Sequence, residues 1–418
     1  MRKARFFPLQ FAAITALCLG NGVFAQQADQ ISASQMAGSH RRSAVITPHA
    51  KLNGQAHARQ GVSNVDSLLN FDGHFFAAGF DFNGNPNSHW YFNTVGNPPQ
   101  MQGTTTINAP LIPVSIDLRD KDGNPIFIGG HPLISDVTPF VQPTLNSPVF
   151  SNADYTSSDV PTQFSDAIQR AEYFGQAKSD WHTLLGPSVK ALRVMTITQS
   201  APPANPNYIF ALNPDGSCCA FILVDQDVFG NALFQIVVDA INAGDITTKD
   251  MSTFLFPDAY LFSIVGPNFE CCVVGFHTYV FDPSNPKTEL RWVINFSSYV
   301  TSGIFGPNVA DVTGLSHEIS ETYNDPFVAS DGVRDVTPWW LSPNGGCGNV
   351  LETGDVIEGL PNDTIPITIN NVTYHPQNEA LLQWFEFQSP SDALGGAYSY
   401  PDTTVLTSPS TLQKPFCQ

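Results

Sequence analysis

A chain of 418 residues with a net charge of −19, 42% hydrophobic and only 13% charged, holds enough apolar material for one large domain or two closely packed ones. Its acidic balance excludes nucleic acid and anionic membrane surfaces as partners. The 33 prolines and 31 glycines point to many turns and long irregular connections.

Arg2, Lys3 and Arg5 precede an apolar run from Phe11 to Leu19, and Val23-Phe24-Ala25 follows. This is the layout of a secretory signal peptide over residues 1–25, cut before Gln26. The run is too short to span a membrane and no later segment replaces it, so the expected product is secreted, extracellular or periplasmic. Residues 26–61 are polar and carry His40, Arg41, Arg42, His49, Lys51, His57 and Arg59; they read as a disordered arm or linker, with a removed pro-segment as the alternative.

Residues 62–418 read as a single large secreted domain with a β-rich N-terminal part over 62–160. There, apolar runs at His74 to Phe82, His89 to Phe92 and Pro113 to Leu118 are broken by Gly, Pro and Asn. A short helix is expected over Gln163 to Phe174. A clearer one runs from Asn231 to Ala243, with Asn231 as cap, Leu233, Ile236, Val237, Ala240 and Ile241 at helical spacing, and Gly244 as terminator. Strands follow at Cys271 to Val280 and Leu290 to Asn295. A helix ending at Pro326 comes next, its buried stripe drawn from Val309, Val312, Ile319 and Tyr323. Beyond lie a loop-rich stretch, Phe327 to Thr364, and a further helix over Glu379 to Phe387. Strands and helices without a regular βαβ alternation predict an α+β fold.

Seven cysteines are present, and Cys18 leaves with the leader. Cys218, Cys219, Cys271, Cys272, Cys347 and Cys417 remain, an even set that favours disulfides in an exported chain. Both vicinal pairs begin strand-like runs, which predicts that the pairs bridge each other across neighbouring strands and that Cys347 joins Cys417.

The chemistry concentrates in Gly314-Leu315-Ser316-His317-Glu318-Ile319-Ser320-Glu321-Thr322-Tyr323-Asn324-Asp325-Pro326. His-Glu-x-x-Glu on a helix places His317 and Glu321 on one face with Glu318 beside them. Such a pair holds a divalent metal only with a third protein ligand, and Glu318 is then placed to take a proton from an attacking water as general base. Glu352 ranks first as third ligand, with Asp355 as the carboxylate that orients the motif histidine. Asp325 at the helix end and His277 in an apolar strand are the alternatives. Tyr323, Tyr374 and His375 are candidate oxyanion donors, and Trp339-Trp340 forms either an aromatic wall for substrate or a cover for the core.

The order of segments over roughly Glu270 to Phe387 resembles the phosphate-induced, EXORDIUM-like secreted proteins. The resemblance rests on Cys272 followed by Gly275-Phe276-His277, on the motif helix ending in Asp325-Pro326, on Glu352-Thr353-Gly354-Asp355, and on Tyr374 with Glu379-Ala380-Leu381-Leu382-Gln383-Trp384. It implies a zincin-like core with a mixed β-sheet and a motif-bearing helix, with one zinc on His317, Glu321 and Glu352. Two functions are compatible with it. One is a peptidase-like metal-dependent hydrolase; the other is a non-enzymatic extracellular or cell-wall-associated binding protein with a structural metal. A peptide or a cell-wall polymer is the expected partner, and the sequence leaves the oligomeric state open.

Overall fold

The computed structural model describes residues 64–80, 86–155, 160–177, 179–266, 268–282, 284–285, 287–328, 339–340, 347–348, 351–386 and 388–408. The expected leader over residues 1–25, the expected arm over residues 26–61 and Cys417 lie outside them. Among the described residues no helix is long and apolar enough to cross a membrane.

The strands in chain order begin with β1 (Asn64–Asp66), β2 (Asn70–Phe80), β3 (Pro86–Val95) and β4 (Thr104–Arg119), then the two-residue β5 (Phe127–Ile128), β6 (His131–Pro132) and β7 (Ile134–Ser135). β8 (His182–Val189), β9 (Arg193–Thr198), β10 (Tyr208–Leu212), β11 (Cys218–Asp225) and β12 (Met251–Pro257) follow. β13 (Ala259–Val265), β14 (Asn268–Val273), β15 (Gly275–Asp282) and β16 (Thr288–Tyr299) complete the large strands. The helices are α1 (Thr138–Leu145), α2 (Phe164–Glu172), α3 (Gln226–Ala243), α4 (Thr313–Asn324) and the short α5 (Leu382–Phe385).

The architecture is mixed α/β around a mostly parallel central sheet. Its order is β1-β16-β12-β4-β7, with β15 on β16 and with β8 and β9 on β4. The pairs β1–β16, β16–β12, β12–β4, β4–β8 and β4–β9 are all parallel, whereas β15–β16 and β4–β7 are antiparallel. A sheet of this kind is buried on both faces, and its central strands β12 and β16 are buried at every position, with Glu289, Arg291 and Asn295 among their buried polar residues. Phe254 and Phe256 join one core with Ile294 and Phe296 of β16, and Met251 and Leu255 join a second core with Val293 on the other face.

The two faces receive different helices. α3 supplies Phe229, Leu233, Ile236, Val237, Ala240 and Ile241 to the first core. α4 supplies Leu315, Ile319 and Tyr323 to the second, with Val312 just before it. The motif helix is therefore seated on the sheet by its apolar stripe, and Val309, expected in that stripe, precedes the helix.

Several boundaries differ from the sequence expectation. α3 starts five residues earlier than expected, because Asp225 rather than Asn231 caps it, accepting hydrogen bonds from the Asp227 and Val228 amides. The single strand expected over Cys271 to Val280 is two, divided at Val274: β14 belongs to a second sheet of order β10-β11-β13-β14, and β15 to the central one. The helix expected over Glu379 to Phe387 is a two-residue strand, Glu379–Ala380, followed by the four-residue α5.

The expected bridging of the two vicinal cysteine pairs to each other is overturned, while the expected Cys347–Cys417 pairing falls outside the described residues. Each vicinal pair closes on itself, Cys218 with Cys219 and Cys271 with Cys272. The reason is topological. β11 and β14 lie on opposite sides of β13, and strands separated by a third stand roughly 9–10 Å apart, beyond the ~7 Å Cα reach of a disulfide.

Candidate metal centre

His317, Glu318 and Glu321 project from α4 as the spacing predicts, but all of α4 is buried, so the polar face must be met by other polar groups. Much of that need is met within the scaffold. Ser320 shares a 2.9 Å hydrogen bond with Ser165 of α2. Thr322 donates to Asn295 Oδ1 of β16 at 2.7 Å. Asn324 donates to Glu172 Oε1 of α2 at 2.9 Å. These contacts fix both the rotation and the height of the helix.

Two further segments close on the motif. β15 passes so near that a Cβ on Gly275 would fall 2.7 Å from Glu318 Cγ, and one on Gly354 would fall 2.5 Å from His317 Nδ1. Glycine at these two positions is what allows the strand and the 351–357 segment to approach. The amides of Gly354 and Asp355 both donate to Glu321 Oε1, at 2.9 and 3.3 Å, which leaves Glu321 Oε2 facing the cluster.

Around that oxygen the polar atoms converge. His317 Nε2 lies 3.2 Å from Glu321 Oε2 and 3.6 Å from Asp355 Oδ1. His277 Nδ1 lies 3.5 Å from the same Glu321 oxygen and 3.3 Å from Glu318 Oε2. Zinc bonded to nitrogen and oxygen at 2.0–2.2 Å in a tetrahedron sets its ligand atoms roughly 3.3–3.6 Å apart, which is the spacing seen. Two triads have metal-compatible geometry, His317–Glu321–Asp355 and His277–Glu318–Glu321. Glu321 belongs to both.

The expected ligands thus meet, in a different arrangement. Glu352, expected to complete the triad, instead turns its Oε2 to 3.8 Å from His277 Nδ1, while Asp355 reaches His317. Asp325 serves the chain path: its Oδ2 accepts from the Leu351 amide at 2.9 Å, which sets the start of the segment bearing Glu352 and Asp355. The expected oxyanion donors face elsewhere. Tyr323 donates to the Thr183 carbonyl, Tyr374 to the Pro143 carbonyl, and His375 pairs with Asp311. The side chains of Trp339, Trp340 and Cys347 lie outside the described residues.

The electrostatics match this arrangement. Burial opposes charge on Glu321, yet the neighbouring His317 imidazole and hydrogen bonds from both histidines hold its carboxyl well below the usual range. Burial also opposes charge on His277, but hydrogen bonds to Glu318 and Glu321 raise the imidazole to about 10. Burial drives Glu379 the other way, well above the ordinary carboxyl value, with His317 partly offsetting it. Glu379, held at 3.0 Å by the Thr353 hydroxyl, was not among the expected site residues. It enters from a strand edge that carries no metal-binding pattern.

No family model matches the chain, and no curated protein or solved structure shows significant similarity to it.

Proposed function

We propose that this chain is an exported, zinc-dependent hydrolase with a zincin-like site acting on peptide bonds, in which His317, Glu321 and Asp355 hold one zinc and Glu318 is the general base. The observation that carries the reading is the set of 3.2–3.6 Å separations linking His317 Nε2, Glu321 Oε2 and Asp355 Oδ1. Two ionised carboxylates and one neutral imidazole balance the charge of a divalent ion. The resemblance to EXORDIUM-like proteins, which brings the same segments in the same order, supports it. Bound zinc would acidify a water and polarise a carbonyl.

The chain's own residues have separable tasks. Gly354 gives the His317 ring its space, and the Gly354 and Asp355 amides aim Glu321. Glu318 sits next to His317 in sequence and 3.3 Å from His277 Nδ1 in space, where it would take the proton of a zinc-bound water. Two closed pairs of cysteines agree with an oxidising, extracytoplasmic compartment.

Burial favours a second reading. His317 is 4% exposed, Glu318 2% and Glu321 0%, which suits a structural metal in an extracellular binding protein. Zinc-loaded wild type and Glu318→Gln, incubated with a broad peptide library, separate the two. The hydrolase reading expects cleavage by wild type, with retained zinc and no turnover in the variant. A zinc-loaded wild type that cleaves nothing leaves the structural reading in place.

A further inference from the structure

Glu321 is held by two peptide units, and each of them is gripped from its other side. The Gly354 amide shares a planar unit with the Thr353 carbonyl, and the Asp355 amide shares one with the Gly354 carbonyl. Both amides donate to Glu321 Oε1, at 2.9 and 3.3 Å. Both carbonyls accept from the segment that runs alongside. The Ala380 amide donates to the Thr353 carbonyl at 3.0 Å, and Gln377 Nε2 donates to the Gly354 carbonyl at 2.8 Å. The first grip is backbone and the second is a side chain.

The Gly354 carbonyl also accepts from the Ile357 and Glu358 amides, at 3.0 and 3.2 Å. Those bonds are internal to the 351–358 segment, so they set the shape of the turn and not its place. Among the described residues Gln377 is the donor to this carbonyl that comes from outside the segment. A donor on the carbonyl side of a peptide also strengthens the bond its N–H makes on the other.

Gln377 is itself tied to the motif helix. Its backbone amide donates to Ser316 Oγ at 2.9 Å, and Ser316 Oγ donates to the Thr313 carbonyl at 2.9 Å. Ser316 immediately precedes His317. Gln377 is buried and pairs with Thr364 in a β-bridge, so its side chain has little freedom. It therefore joins α4 to the turn at the point where Gly354 meets the His317 ring.

We propose that Gln377 is a positioning residue of the metal centre: its amide docks the 354–355 peptide so that Glu321 presents Oε2 to the ion and the Asp355 carboxylate reaches His317. Without that donor the turn keeps its shape but loses its register against α4. The 3.3 Å bond from Asp355, the longer of the two on Glu321 Oε1, is then the first to open.

The proposal rests on the zinc reading of His317, Glu321 and Asp355, and one set of titrations separates the two. Zinc affinity is measured by competition with a chromophoric chelator in wild type, in Gln377→Met, which keeps the length and loses the donor, and in Asn378→Leu. Asn378 is the control: it is buried beside Gln377 but serves the Asn362 carbonyl and the Asp402 amide. Gln377→Met is expected to weaken zinc binding about tenfold or more and to change the visible spectrum of the cobalt-loaded protein. Asn378→Leu is expected to lower the melting temperature of the metal-free protein and to keep wild-type affinity and spectrum. Should Gln377→Met fail to fold, Ser316→Ala removes the acceptor of the Gln377 amide and should weaken zinc binding at least about threefold. Wild-type affinity with an unchanged cobalt spectrum in the folded variant, or an equal loss of affinity in Asn378→Leu, would overturn the proposal and leave the zinc reading intact. A wild type that takes up no zinc would overturn both.

Discussion

Gly354 lies against the imidazole of His317 so closely that any side chain there would overlap the ring, its Cβ falling 2.5 Å from Nδ1 and 2.8 Å from Cε1. Thr353 and Asp355 on either side are buried, so the ring, not the chain, would have to move. Gly354→Ala is expected to lower zinc affinity by roughly 10–100-fold, the usual effect of disturbing a ligand's support. Competition with a chromophoric chelator measures it, and a melt recorded alongside separates lost affinity from lost fold.

The geometry distinguishes two carboxylates that the sequence places three residues apart. Asp355 faces His317, and Glu352 faces His277. Asp355→Asn should therefore weaken zinc binding by at least about tenfold, whereas Glu352→Gln should leave most of it. The reverse order would return Glu352 to the ligand set.

Glu172 gives a pH dependence away from the metal. Burial raises its carboxyl from 4.5 to about 8, so between those values the native chain keeps a proton that the unfolded chain has released. Stability therefore falls as pH rises through this window; the contribution is complete below about pH 4.5 and lost above about pH 8. Wild type should lose melting temperature between pH 5 and pH 8.5 more steeply than Glu172→Gln. Parallel slopes would show that Glu172 is ionised in the native state.

The cysteine assignment is checked by digestion without reduction. Cleavage between Cys219 and Cys271 should yield two separate peptides, each lighter by two hydrogens than its thiol form and not linked to the other. A cross-linked peptide joining residues near 218 to residues near 271 would contradict the topology.

What the sequence revealed follows the range of the interactions. His317, Glu318 and Glu321 are set by local helical spacing and were legible, as were the Gly244 end of α3 and the apolar runs of β4 and β16. The start of α3 was not, because Gly230 and the polar Gln226 and Asp227 mask a helix whose cap is Asp225. The division at Val274 was hidden, since both β14 and β15 are apolar and only the sheet each joins tells them apart. His277 was visible only as an alternative, and Glu379 not at all as a site residue: each reaches the cluster through tertiary packing, which one-dimensional spacing does not encode. The mostly parallel sheet was equally hidden, because β4, β12 and β16 are far apart in the chain.

Zinc at Glu321 Oε2 is tested most directly by elemental analysis of the purified protein, prepared without chelators, beside His317→Ala. The expected result is about one zinc per wild-type chain on a four-coordinate site and a large loss in the variant. A wild type that stays metal-free after exposure to zinc, or a variant that retains the full complement, would contradict it.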